Sequence, residues 1–465
     1  MTNNSAIQLR VSLNDQAYKV ENIKESILKD YLGGVGYAAK LLYDELEPKI
    51  DPLSEKNKII FAVGPLTSYQ IPGGGSVEIC FKSPLTNAWG EARCGGDFGP
   101  ELKKAGYECL ILEGKSSKPV YLVIDDENVY FRDASHLTGK MVSEKTRIIL
   151  NELNDTNFSV MTIGIAGENL VRIAAVMLEG RAAGRCGAGA VMGAKNILAV
   201  AVKGTKKIIP QNKEEYNAAL KEARQIIKDS DTAKGFREFG TIGDMAGNDA
   251  AGDWPTKNWQ SNSWGKGEEL FDYYNKNNFV RNQMCYKGCP IACGRIARVK
   301  EGVYKTPEHE GAEYETVSAF TAFVLNQDVD AAINCSYLCN EFGIDTISTG
   351  ALIAFAMECY EHNLLSPAEV EQLDLSWGNA QILPVLTEKI ARRDGIGNLL
   401  AEGVVRAAEK IGHNAREFAI HAKGLEGPAH DPRSGKLLAV TYGTGNRGMC
   451  HIHPLEGMAY DSGKM

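Results

Sequence analysis

Three cysteines within nine residues constrain this chain more than any other feature of its sequence. Cys285, Cys289 and Cys293 are separated by three residues each, and Pro290 follows the second of them. Because proline interrupts a helix, the spacing predicts a tight loop. Thiolates this close together suit iron–sulfur clusters or zinc, and a [4Fe–4S] cluster needs a fourth thiolate. We therefore predict a metal site with one ligand from elsewhere; three buried thiols on a helix face are the alternative.

Composition limits the classes of protein to consider. The chain has 465 residues, which is enough for two or three domains. Its net charge of −8 excludes a broad basic surface, so no nucleic-acid partner is expected. No apolar run reaches the roughly 18 residues of a membrane helix, so no membrane span is expected. Eleven cysteines without an extracellular pattern, and an N-terminus without a signal peptide, predict a cytoplasmic protein.

Strand and helix signals are distributed unevenly along the chain. Up to about residue 205, short apolar runs such as 58–63 and 121–124 predict buried strands between glycine-rich turns. From about residue 315, apolar residues recur with the helical period, as in 345–363. This order predicts an α+β fold. Residues 240–259 carry few signals of either kind, and we predict one long loop there, of the kind that is often functional.

The glycine-rich block 180–196 is a candidate for binding phosphate. It places Arg181, Arg185 and Lys195 among backbone N–H groups that no side chain covers. The block matches neither the dinucleotide-binding fingerprint nor the P-loop. On these residues alone, a phosphate-bearing cofactor and purely structural turns are equally good interpretations.

Two smaller groups of side chains allow a functional or a structural interpretation. Cys335 and Cys339 lie one helical turn apart and could bind a metal together, although two buried thiols are the better prediction. His451 and His453 flank Ile452 beside Cys450. Imidazoles in such a group suit proton transfer or metal ligation, and an exposed histidine pair is the alternative.

Taken together, several motifs resemble those of the tungsten-dependent aldehyde:ferredoxin oxidoreductases. The resemblance runs along essentially the whole chain, and the number and order of the motifs make it specific. The segments that carry it are 82–86, 95–107, 166–169, 181–196, 289–295, 313–316, 343–348 and 431–433.

The resemblance implies an N-terminal double β-sheet domain that binds the cofactor, followed by mostly helical domains. We predict a β-rich pterin-binding domain at 1–208, a helical domain with the cysteine loop at 209–415, and the start of a third, mostly helical domain at 416–465. The family's later Asp-x-x-Gly-Leu-Cys motif, which supplies the fourth cluster thiolate, does not occur in this sequence. We therefore expect an incomplete third domain and a truncated chain.

The resemblance also implies the cofactors and the residues that hold them. The cofactors are a tungsten bis-molybdopterin, a Mg²⁺ ion that bridges the pterin phosphates, and one [4Fe–4S] cluster. The three loop cysteines, Cys285, Cys289 and Cys293, are the implied cluster ligands. The implied pterin-binding positions are Arg93, Gly95, Arg181, Ala182, Arg185, Asn340, Ile344 and Asp345.

The implied reaction is the oxidation of an aldehyde to a carboxylic acid at tungsten, with electrons passed through the cluster. Glu313 and His451 match the family's acid–base residues, and Glu315 is a substitute for Glu313. The implied partners are ferredoxin or a small iron–sulfur subunit, the aldehyde, and a second copy in a homodimer. Two alternatives remain: a related tungsten enzyme of the benzoyl-CoA reductase type, and a non-catalytic iron–sulfur or pterin-binding fragment.

Overall fold

The computed structural model describes residues 6–69, 71 and 73–453. It divides into two compact units, the first comprising Met1–Leu170, Ala174–Lys234 and Met284–Ala292, and the second Val171–Ile173, Gly235–Gln283 and Cys293–Met465. The three-domain division stays a prediction, and residues 454–465 of its third domain lie outside the described part. Among the described residues, no helix has both the length and the apolar character needed to cross a membrane.

The first unit contains two six-stranded mixed sheets. The first sheet has the order β2-β1-β6-β3-β4-β5, and its strands are β1 (Ile7–Ser12), β2 (Ala17–Asn22), β3 (Ile59–Ala62), β4 (Ser76–Lys82), β5 (Trp89–Gly95) and β6 (Cys109–Glu113). The second has the order β11-β10-β9-β12-β7-β8, with β7 (Val120–Asp125), β8 (Asn128–Asp133), β9 (Ser159–Ile163), β10 (Val176–Leu178), β11 (Arg181–Ala183) and β12 (Ile197–Lys203). These sheets confirm the predicted β-rich N-terminal region.

Helices cover both faces of the first sheet near its centre. All four residues of β3 are buried, as expected for a strand with two covered faces. Ile60 belongs to a core that includes Tyr37 of α2, whereas Phe61 packs on Phe98 of α3 with ring centroids 5.7 Å apart. The helices of this unit are α1 (Glu25–Tyr31), α2 (Gly34–Glu45), α3 (Phe98–Ala105), α4 (Val142–Leu153), α5 (Ile165–Glu168), α6 (Ala188–Ala194) and α7 (Lys213–Asp229).

The second unit is mainly helical, which together with the sheets confirms the predicted α+β class. Helix α8 (Asp231–Phe239) begins in the first unit and ends in the second. The remaining helices are α9 (Met245–Ala251), α10 (Gly267–Asn277), α11 (Tyr314–Phe320), α12 (Val329–Phe342), α13 (Thr346–Glu361), α14 (Ile382–Arg392), α15 (Ile396–Leu400), α16 (Val404–Ile411) and α17 (Lys436–Thr444). Two small sheets accompany them: β13 (Phe279–Gln283), β14 (Gly294–Ala297) and β15 (His309–Glu310), and the pair β16 (His421–Ala422) and β17 (Leu425–Glu426).

Helix α13 forms the centre of the second unit. Its residues from Ile347 to Cys359 are all buried, which explains why apolar side chains surround the whole helix. Asp345 caps its N-terminus by accepting hydrogen bonds from the backbone N–H groups of Ile347 and Ser348. Asp328 caps the preceding helix, α12, in the same way through Ala331 N–H.

The prediction of one long loop at 240–259 is wrong, because helix α9 lies inside it. The segment from Met245 to Ala251 contains three alanines, which favour helix, and it ends at Gly252 with φ +70°. Asp249 on this helix accepts hydrogen bonds from the N–H groups of Trp264 and Gly267, at 2.7 and 2.9 Å. A tertiary contact therefore stabilises a helix too short to give a periodic pattern.

Candidate functional site

The cysteine loop is irregular, as predicted, and its first two thiols interact. In the first unit, Cys285 hydrogen-bonds to the sulfur of Cys289, and this bond has the largest effect on the pKa of the Cys289 thiol. It lowers the pKa by more than desolvation raises it, and hydrogen bonds from the backbone N–H groups of Gly73, Ile291 and Ala292 lower the pKa further. Together they lower the pKa of Cys289 to about 5. A thiolate held by backbone N–H groups has the donor chemistry of an iron–sulfur ligand, so these residues fit the implied cluster.

Glycines allow the backbone to approach this loop closely. A Cβ atom at Gly95 would lie 3.4 Å from Cβ of Cys285, and one at Gly75 would lie 2.4 Å from the ring of Tyr286. The Tyr286 hydroxyl donates to the carbonyl oxygen of Ile71 and accepts from the N–H of Gly74 at 3.3 Å. The glycine loop before β4 therefore packs directly on the cysteine loop.

Cys293, the third predicted ligand, belongs to the second unit. It is half-buried, and its carbonyl oxygen would lie 3.1 Å from a Cβ atom at Gly240. Cys335 and Cys339 are fully buried, and burial raises the pKa of both thiols. Their environment confirms the prediction of two buried thiols, because desolvation disfavours the thiolate that a metal requires.

The structure brings Gly95 close to the β10–β11 hairpin, which carries two further predicted pterin-binding residues. A Cβ atom at the adjacent Gly96 would lie 2.4 Å from the side chain of Leu178. In the hairpin, Leu178 pairs with Arg181, and Met177 pairs with Ala182. Bare glycine backbone beside an arginine is a suitable environment for a phosphate, so these residues fit the implied pterin phosphates.

Arg93 and Arg185 have different surroundings. Arg93 pairs with Glu78 across strands β4 and β5, and its side chain is half exposed. Arg185 is buried at the start of the tight turn in which Cys186 adopts φ +71°. The Ser83 hydroxyl donates to the carbonyl oxygen of Cys186 at 2.7 Å, which fixes that turn. Both arginines keep their predicted roles as proposals.

The other pterin-binding residues, Asn340, Ile344 and Asp345, lie where α12 ends and α13 begins, in the second unit. Asn340 is half-buried, whereas Ile344 is 1% exposed and offers mainly its backbone. Asp345 is the N-cap of α13, and its side chain lies 2.6 Å from the hydroxyl of Ser348. That hydroxyl also lies 2.8 Å from Glu426. Asp345 therefore has a structural role in addition to its predicted contact with the cofactor.

Glu313 and Glu315 have different environments, although only one residue separates them. Residues two apart on a helix do not face the same side, and α11 begins here. The hydroxyl of Thr241 donates to Glu313, and the charge of Glu313 acts on the buried side chains of Tyr274 and Arg295. Glu313 therefore neutralises part of a buried positive charge.

Glu315 lies between two imidazoles. Its Oε1 atom is 3.4 Å from Nε2 of His451 and 3.6 Å from Nε2 of His430. Its Oε2 atom accepts a hydrogen bond from the N–H of Ala429 at 2.7 Å. Neither His451 nor His453 is exposed, so the alternative of an exposed histidine pair is wrong. The structure brings His451 to Glu315, the substitute named for Glu313.

His430 and Asp253 complete this group, and the sequence analysis missed both. Nδ1 of His430 lies 2.8 Å from Oδ2 of Asp253, and the His430 ring packs on Tyr314 with centroids 5.1 Å apart. Burial would lower the pKa of His430, but the hydrogen bond to Asp253 and the neighbouring carboxylates outweigh it and raise the pKa. His430 lies beside the 431–433 motif, whereas Asp253 has no local signal. The four residues form a chain of alternating carboxylates and imidazoles: Asp253, His430, Glu315 and His451.

Comparisons with protein-family models decide the family. The N-terminal domain model of aldehyde ferredoxin oxidoreductase matches residues 8–204, and the model of domains 2 and 3 matches residues 218–463. The chain belongs to the aldehyde ferredoxin oxidoreductase family. The resemblance found in the motifs is therefore confirmed.

Several relatives are similar to the chain over most of its length. The tungsten-containing aldehyde ferredoxin oxidoreductases of Pyrococcus furiosus and Thermococcus kodakarensis are each 42% identical to the chain, over 96% of it and 73% of their own lengths. The aliphatic sulfonate oxidoreductase, WOR-like subunit, of Pyrococcus furiosus is 33% identical over 92% of the chain and 71% of its own length.

A solved structure shares the fold. The active site complex BamBC of benzoyl coenzyme A reductase, in complex with 1,5-dienoyl-CoA, matches with a TM-score of 0.84 and 30% identity. The match covers 95% of this chain and 69% of that one.

Proposed function

We propose that the protein oxidises aldehydes to carboxylic acids at a tungsten bis-molybdopterin centre and passes the electrons through a [4Fe–4S] cluster to ferredoxin. The observation that carries this proposal is the Glu315 carboxylate, held between two imidazoles at 3.4 and 3.6 Å. It occurs in a chain whose relatives are named for aldehyde oxidation with ferredoxin. The oxidation adds water to the aldehyde and releases a carboxylic acid, two protons and two electrons.

Proton transfer is the part of this reaction that the chain's own side chains perform. The Glu315 carboxylate takes a proton as water adds to the aldehyde, and His451, 3.4 Å away, accepts a proton from it. The hydrogen bond from Ala429 N–H fixes the Glu315 carboxylate and leaves Oε1 directed to the imidazoles. When bound, the tungsten centre supplies the two-electron chemistry and the cluster supplies one-electron transfer. We keep Glu313 as the alternative base, because it has the same chemistry two residues away.

Separate groups of residues would hold the cofactors. Cys285, Cys289 and Cys293 would bind the cluster, and the hydrogen-bonded thiolate of Cys289 supports this assignment. Gly95, Arg181, Ala182 and Arg185 would bind the pterin phosphates and their Mg²⁺. Arg93, also in the first unit, is a further proposed pterin contact. The proposed pterin contacts in the second unit are Asn340, Ile344 and Asp345.

The proposal extends to partners and location. Because the cluster transfers one electron at a time, the proposed electron acceptor is a ferredoxin or a small iron–sulfur subunit. We also propose a homodimer. Eleven cysteines without an extracellular pattern suit a reducing compartment, which supports the cytoplasm as the location.

Metal analysis followed by an assay tests the proposal. Anaerobically purified protein should contain about one tungsten and about four irons per chain. It should reduce a redox dye when an aldehyde is added, and E315Q should keep both metals while losing this activity. Metal-loaded protein without aldehyde activity would favour a reaction of the benzoyl-CoA reductase type. Protein without tungsten would favour the non-catalytic alternative.

A further inference from the structure

We propose that His430, fixed by Asp253, is a positioning residue that remains cationic and keeps Glu315 ionised, so that His451 alone of the two imidazoles takes up the proton. The inference rests on the proposed function, in which Glu315 is the base. It assigns opposite roles to two histidines that lie at similar distances from one carboxylate, 3.6 Å for His430 and 3.4 Å for His451.

Asp253 determines the orientation of the His430 ring. Its Oδ1 atom accepts hydrogen bonds from the N–H of Asp431 at 2.7 Å and from the hydroxyl of Ser434 at 3.0 Å. Its Oδ2 atom lies 2.8 Å from Nδ1 of His430. Because a carboxylate only accepts hydrogen bonds, Nδ1 of His430 carries a hydrogen and Nε2 is directed to Glu315.

His430 is also held on its other sides. Its side chain is 8% exposed, its ring packs on Tyr314, and the hydroxyl of Tyr442 donates to its carbonyl oxygen at 2.9 Å. A ring fixed in this way cannot turn to exchange its partners. It therefore presents the same nitrogen to Glu315 throughout the reaction.

The charges around His430 favour its protonated form. Carboxylates face it from three segments: Asp253, Glu315 and, farther away, Asp244. The other imidazole, His451, packs with its ring centroid 5.3 Å from that of His430. Two imidazolium ions this close repel each other, so a proton that stays on His430 leaves His451 as the neutral imidazole beside Glu315. The same cation lowers the cost of keeping Glu315 ionised in a buried position.

The pH dependence of each variant follows from these roles. D253N removes the carboxylate that raises the pKa of His430. His430 therefore loses its positive charge at a lower pH, and the alkaline limb of the kcat profile moves to lower pH. In H430Q the cation beside Glu315 is absent at every pH, so the pKa of Glu315 rises and the acid limb of the kcat profile moves to higher pH. Both limbs would stay unchanged if His430 only filled space.

The experiment measures kcat and KM for an aldehyde against pH in the metal-loaded enzyme. We expect kcat near neutral pH to fall about ten- to a hundredfold in D253N and H430Q, with KM within about twofold. We expect D253N to fold better than H430Q, because asparagine keeps the oxygen that accepts hydrogen bonds from Asp431 and Ser434. H413Q, at an exposed histidine, is the matched control and should behave as the wild type. Profiles parallel to the wild type in both variants would overturn the inference.

An NMR titration of ¹⁵N-histidine-labelled enzyme provides a readout that does not need activity. The His430 signal, assigned by its loss in H430Q, should titrate above about 6.5 in the wild type and lower in D253N. A neutral His430 below that pH, or stoichiometric zinc that disappears in H430Q, would overturn the inference. Loaded wild-type enzyme that does not oxidise aldehydes would instead contradict the proposed function, and the NMR result would still decide the state of His430.

Discussion

The cysteine loop and the histidine–carboxylate chain are built in opposite ways. In the first unit, Cys289 accepts hydrogen bonds from Ile291 and Ala292, which are its near neighbours in the sequence. In the second unit, Glu315 contacts residues more than a hundred positions away, His430 and His451. The first site is largely local, and the second exists only when distant segments meet. The difference teaches that spacing along the chain can predict a group of neighbouring thiols, whereas only the fold shows which carboxylate meets which imidazole.

The largest expected effect tests the local site. C289S should lose most of its iron, because a serine hydroxyl does not replace the thiolate that the backbone N–H groups stabilise. C109A is the control: Cys109 is fully buried in β6, and burial raises the pKa of its thiol. Iron per chain, measured on anaerobically purified protein, should fall to below about half in C289S and stay near wild type in C109A. Full iron in C289S would exclude that residue as a ligand.

The next effect tests the assembled site. E315Q should reduce kcat at least about a hundredfold, because the amide cannot take up a proton. E313Q should retain activity within about fivefold, since its amide oxygen still accepts from Thr241, and it should lose about 1–2 kcal/mol of stability beside Arg295. Steady-state kinetics and thermal unfolding separate the two effects. The reverse order of the two kcat values would make Glu313 the base.

A smaller effect distinguishes cofactor binding from helix capping. D345A and D328A each remove an N-cap, and each should cost about 1 kcal/mol of unfolding free energy. If Asp345 also holds a pterin, D345A should lower the tungsten content, whereas D328A should not. Equal tungsten in both variants would leave Asp345 with its structural role alone.

The smallest effect concerns the contact between the glycine loop and the cysteine loop. Y286F removes the hydroxyl that bonds Ile71 and Gly74, and we expect a loss of about 1 kcal/mol. Y216F, at a half-buried tyrosine that packs on Tyr69, should change stability by less than about 0.5 kcal/mol. Thermal unfolding measures both, and an unchanged midpoint in Y286F would show that the hydroxyl does not stabilise the contact.

Several features could be predicted because they depend on near neighbours. The α+β class follows from the period of the apolar residues, and the buried thiols Cys335 and Cys339 follow from their spacing on one helix. Helix α9 was missed because its stability comes from Asp249, which binds a later segment of the chain. A pattern in seven residues cannot report such a contact.

The sequence by itself determined the family, the division into a strand-rich first part and a mostly helical later part, and the loop that carries the predicted cluster ligands, since motifs and apolar periods specify all of these. Only the tertiary structure decided that Glu315, rather than Glu313, meets His451, because which side of α11 each carboxylate faces depends on what packs there. It also decided that Asp253 and His430 join them. Their contacts connect segments far apart in the chain, and no local pattern specifies which distant side chains will pack together.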